Sequence, residues 1–251
     1  MNSKQAVRSM LVVLLSVALL WAGDPWKEKP YTEWTEKEVA KVFQDSPWAR
    51  RVTILSGEVN LAPPQPPTAP EGGAGPMAPA GETASVAGQS AASLPGQGGT
   101  STESRQQMLF IVRWESSLTV RQAQVRQQQF EGNLNEEQAK EYLSRPPEQY
   151  LIVVYGLDMR GFEALTEDEV RAGAYLQPRQ RKQKITPASV RFVRQGARLL
   201  AVEFYFSRVW EDQPVIGTEE KKVKFACRSR TDLISTDFEL PKMIREGAPD
   251  L

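Results

Sequence analysis

The sequence predicts an α+β protein: a mixed or antiparallel sheet of about six strands with two to three helices mainly on one face. A short N-terminal helix/strand block joins this domain through a disordered linker. Three observations carry the expectation. Met108–Trp114 and Tyr150–Tyr155 are short apolar runs with little alternation, as in central strands covered on both faces. Between them lie segments of helical periodicity that open with capping signatures. In the last third the period changes from 3.6 to 2, the mark of strands with one face on a core.

Taken in order, the chain opens with Lys4 and Arg8 before the apolar run Met10–Ala22, which breaks at Gly23-Asp24-Pro25. This is the layout of a secretory signal peptide over residues 1–23. Thirteen helical residues reach about 20 Å against a hydrocarbon core of about 30 Å, which favours a signal over a spanning anchor. A cut after Ala22 or Gly23 places Leu20 or Trp21 three residues upstream, where small side chains are preferred, so an uncleaved N-terminal anchor is the alternative. The expected location is periplasmic or extracellular, with no transmembrane span once the signal is removed.

Residues 24–60 carry Trp26, Trp34 and Trp48. Thr35 and Glu38 form a capping box, Val39, Val42 and Phe43 give the following helix one apolar stripe, and Ser46-Pro47 stops it. Arg51–Leu55 and Glu58–Asn60 read as extended. So short a block cannot sustain its own core without disulfides or a metal, so it is expected to dock on the main domain. Tyr31, Trp34 and Trp48 are its candidate aromatic surface, as packing anchors or as a platform for a sugar or peptide. Residues 61–107 are dominated by Pro, Ala, Gly, Ser, Thr and Gln, the composition of a disordered spacer.

The domain at 108–251 continues with a helix whose Val120, Ala123 and Phe130 share a face. A second helix opens at Asn135 with Gln138 completing a capping box, carries Ala139, Tyr142 and Leu143 on one side, and ends at Pro146-Pro147. A third starts at the Thr166/Glu169 box and is expected to run through Ala174 to near Pro178. Ser189–Arg194 and Arg198–Ser207 flank a Gln195-Gly196 turn. Val223, Phe225 and Cys227, then Ile234, Thr236, Phe238 and Leu240, alternate with polar residues as two further strands.

Composition excludes several chemistries. The chain has 31 basic and 31 acidic residues and no histidine, so Ser-His-Asp and Cys-His catalysis and His-ligated zinc are unavailable. The single Cys227 cannot form an internal disulfide and alternates inward as a core residue. No phosphate loop, nucleophile elbow or metal-spaced cluster occurs, so neither a cofactor nor a metal is expected. Nucleic acid is not expected as a partner. The densest charge cluster, Arg179, Arg181, Lys182 and Lys184, is a candidate contact for an anionic surface or, more plainly, a solvated connector. The function expected is a non-enzymatic binding or interaction module with an unidentified envelope component or protein partner. A carboxylate-based hydrolase acting on an envelope polymer or polysaccharide is the alternative.

Tyr31–Glu38 with Asp45–Ala49, Arg113–Leu118 and Phe238–Gly247 resemble segments of uncharacterised secreted proteins of acidobacterial-type soil bacteria. The resemblance spans both ordered blocks, skips the linker, and implies a bacterial, exported context without an activity.

Overall fold

The computed structural model describes residues 23–56, 106–230 and 232–251. All but Gly23 of the expected signal segment, the extended stretch expected at Glu58–Asn60 and nearly all of the expected linker lie outside these residues. Residues 23–55 and 107–251 belong to one compact unit.

A short helix α1 (Pro25–Glu28) and a 3-10 turn (Tyr31–Glu33) lead into α2 (Glu36–Gln44). The Thr35/Glu38 capping box of α2 is formed, and Lys29 Nζ sits 2.8 Å from the Glu38 carboxylate. Strand β1 (Ala49–Ser56) follows, then β2 (Gln106–Trp114), which begins two residues before Met108. Ser117 caps α3 (Leu118–Phe130), and the Asn135/Gln138 box caps α4 (Glu136–Ser144). After β3 (Gln149–Gly156) come α5 (Arg160–Glu163), α6 (Glu167–Ala172) and β4 (Tyr175–Pro178).

The third expected helix is therefore shorter than its apolar spacing suggested. It closes at Gly173, whose amide bonds the Glu169 carbonyl, and Tyr175–Pro178 is a strand instead. That segment is short and alternates, with Leu176 inward, so pairing with a distant strand outweighs one further helical turn.

The remaining strands are β5 (Ser189–Gln195), β6 (Arg198–Ser207), β7 (Val209–Trp210), β8 (Gln213–Pro214), β9 (Lys222–Arg228), β10 (Leu233–Glu239), β11 (Ile244–Arg245) and β12 (Ala248–Pro249). Gly196 takes φ +60° in the tight β5–β6 turn, a conformation that favours glycine.

Five strands form an antiparallel sheet in the order β1-β2-β3-β6-β5, and three form a second sheet, β10-β9-β4. The β2/β3/β6 register places Val112 opposite Val154 and Trp114 opposite Ile152, while Ile152 and Val154 pair with Phe204 and Val202. These side chains share one face, and it meets the second sheet. The Phe225 ring lies 5.2 Å from Phe204, and Phe238 lies 5.1 Å from Trp114, both edge-on. Cys227 is fully buried among them; burial pushes its thiol pKa upward and keeps it protonated. Phe162 of α5 packs edge-on against Phe110, and Val170 of α6 joins the same core.

The N-terminal block is built into this unit. β1 is the edge strand beside β2, and the Trp114 amide donates to the Trp48 carbonyl at 2.8 Å. The Trp48 indole N–H donates to the Asp250 carbonyl (2.8 Å), while the Asp250 carboxylate accepts from the amides of Leu118 and Thr119 at the start of α3. Trp34 donates to the carbonyls of Pro25 and Lys29, and its own carbonyl accepts from Arg126.

Candidate functional site

The alternation that sends Trp114 inward sends its neighbours Arg113 and Glu115 to the opposite face of the five-stranded sheet. Glu115 follows β2 and remains tied to β3, its amide donating to the Leu151 carbonyl at 2.8 Å. The next residues serve as fasteners: Ser116 Oγ accepts from the Leu151 amide, and Ser117 Oγ accepts from the Val120 amide. Glu115 is thereby fixed between sheet and helix, only 5% exposed.

A carboxylate buried this deeply requires partners, and it has them on both oxygens. Oε1 accepts from the Arg113 guanidinium, 2.9 Å at Nε, and from the Tyr155 hydroxyl; Oε2 accepts from Gln124 Nε2 at 2.8 Å. Arg113 is held in turn between two rings, 4.4 Å from Phe43 of α2 and 4.5 Å from Tyr155. Burial, followed by the Glu115 charge, pushes the Tyr155 hydroxyl well above the ordinary phenol range. It remains a donor to Glu115 at every physiological pH.

Gln124 carries the network onward. Its Oε1 accepts from the Tyr142 hydroxyl (3.0 Å), joining α3 to α4. The same tyrosine receives Arg121, whose guanidinium lies 4.7 Å over the ring and donates to the Tyr142 main-chain carbonyl. Between α3, α4 and the sheet opens a cleft of about 460 Å³, with Glu115, Arg121, Gln124, Gln138, Tyr142 and Leu151 among its walls. Glu141 and Arg145 pair with each other at its exposed rim.

The sites expected from sequence lie elsewhere. Trp34 and Trp48 are each 1% exposed and Tyr31 is half-buried against the core, so both indoles serve as packing anchors and offer no open ring face to a ligand. The cation cluster is a folded connector. Arg179 pairs with Asp237 (2.7 Å), Arg181 donates to the Pro214 carbonyl, and Lys184 lies over Tyr175. The buried Glu220 carboxylate accepts the amides of Gln180 and Arg181, and Lys182, at φ 57°, forms the exposed tip. Sequence reading missed Arg113, Glu115, Arg121, Gln124, Tyr142 and Tyr155. The available signal was α3 itself, where Arg121, Gln122 and Gln124 crowd the turn that carries Val120 and Ala123.

Among the described residues, no group of three or more His, Cys, Asp or Glu side chains is arranged to hold a metal ion, and no helix is long and apolar enough to cross a membrane. No family model matches the chain, and no curated protein or solved structure matches it.

Proposed function

We propose that this chain is an exported binding module of the bacterial cell envelope, and that the cleft between α3, α4 and the sheet is where it holds its ligand. The observation that carries this reading is the state of Glu115. Both its oxygens are committed, to Arg113 and Tyr155 on one side and to Gln124 on the other. A general acid or nucleophile needs a free oxygen facing the substrate and a second acid across the scissile bond. The other carboxylate of the cleft, Glu141, is 63% exposed and paired with Arg145. The cleft thus presents fixed donors, acceptors and a ring, which suit recognition better than proton transfer. The apolar run behind Lys4 and Arg8 supports export.

The test is co-sedimentation of the full chain with washed bacterial cell envelopes. The protein should pellet, release no soluble fragments, and stay in the supernatant when Tyr142 is replaced by Ala with its circular dichroism unchanged. Release of fragments that disappears in Glu115→Gln would establish the carboxylate hydrolase instead. Failure of the wild-type chain to pellet would contradict the binding reading.

A further inference from the structure

The cleft wall contains a charge, on Arg121, that has no counter-ion among the described residues. Arg121 is 7% exposed, and a guanidinium does not shed its proton to relieve burial. Among the described residues its guanidinium lies over the Tyr142 ring and donates one hydrogen bond, to the Tyr142 carbonyl. Among the described residues no carboxylate lies within ion-pair distance of it, and its other N–H groups have no protein acceptor. The nearby acids are taken, Glu115 by Arg113 and Glu141 by Arg145. A ligand that fills the cleft over this cation must bring an anion or strand the charge.

We propose that the cleft binds an acidic saccharide, with Arg121 receiving its carboxylate. This rests on the cleft being the binding site and names the ligand class. The planar fork of Arg matches a carboxylate through two parallel hydrogen bonds. The remaining walls suit a hydroxylated ring: Gln138, whose Oε1 caps α4, keeps its NH2 group as a donor, Glu141 offers acceptors, and the half-exposed Tyr142 ring and Leu151 offer apolar faces. About 460 Å³ lies within the range of small-molecule sites. A bare inorganic anion would fill little of it and leave the amide wall unpaired. A peptide terminus fits less well, because extended peptides add to a sheet edge, whereas this cleft abuts the central strands β2 and β3.

Isothermal titration of the full chain tests this with three probes: trigalacturonate, its methyl ester, and an acetylated trialanine with a free carboxylate. Trigalacturonate should bind, and the ester should be weaker by about tenfold or more, the worth of a charge-assisted pair. Arg121→Gln should weaken the acid by a similar factor without changing ester binding, and Arg121→Lys should fall between. The ester alters only the ligand, so the test survives a misfolded variant. Equal binding of acid and ester, tighter binding of the peptide, or no binding of trigalacturonate overturns the proposal. If envelope sedimentation still depends on Tyr142 in any of those cases, the cleft reading stands and only the ligand class is wrong.

Discussion

Strand β2 supplies two regions with alternate residues, and the two are built on opposite principles. Toward the second sheet, Phe110, Val112 and Trp114 join an apolar core in which Trp114 meets Phe238 edge-on and Phe204, from the same sheet, meets Phe225 edge-on. Toward α3 and α4, Arg113 and the adjoining Glu115 meet Tyr155 and Gln124 in a hydrogen-bonded network. The first region gains from the area it buries, whichever apolar side chains fill it. The second region gains little net energy from its charges, since desolvation offsets most of their attraction. What it gains is fixed geometry around an open cleft. Stability resides mainly on one face of the sheet, and the other face carries the cleft proposed for recognition.

The largest expected effect breaks the apolar region. Phe225→Ala removes a fully buried ring that contacts Phe204 and Phe206 and should cost about 3–5 kcal/mol, read from urea unfolding. Next comes the polar region. Glu115→Gln leaves the Arg113 guanidinium held between Phe43 and Tyr155 without its counter-ion and should cost about 3 kcal/mol. The double replacement Arg113→Met with Glu115→Gln should recover part of that loss, because no buried charge is then stranded. No second substitution of comparable simplicity should rescue Phe225→Ala. Recovery in both regions, or in neither, would erase the distinction.

How much of this was legible in the sequence follows the same division. The alternation of Val202, Phe204 and Phe206 and of Val223, Phe225 and Cys227 marked the inward faces directly, because burial of one face forces a period of two. The assignment of those strands to two sheets was not legible, since it depends on β4 pairing with β9 across a long separation in the chain. The N-terminal stripe of Val39, Val42 and Phe43 was visible, but the place of Phe43 against Arg113 was not. The polar network was hidden for a related reason. Glu115, Gln124 and Tyr155 come from a strand end, a helix and another strand, and no local periodicity links them. Arg121 was passed over because surface arginines on helices are common, and only its burial distinguishes it.

A smaller effect sharpens the comparison along the polar face. Tyr205 is half-buried and donates to Glu203 at 2.6 Å; burial first, then this hydrogen bond, push its pKa up to about 12. The folded value lies above the unfolded value of about 10, so the neutral phenol's contribution is complete below pH about 10 and is lost as pH rises through about 12. Ultraviolet titration of phenolate absorbance should show this late ionisation. Tyr205→Phe should flatten the corresponding part of the stability curve at alkaline pH. An ordinary titration near pH 10 would show that this stretch of the face is more open to water than its contacts imply.

The most direct test of the division between faces is amide chemical-shift mapping of the labelled full chain during titration with trigalacturonate. The account predicts saturable shifts concentrated at Arg121, Gln124, Gln138 and Tyr142, with Phe225, Cys227 and Phe238 between the sheets unmoved. Shifts centred instead on the Arg179–Lys184 connector, or an unchanged spectrum, would contradict it.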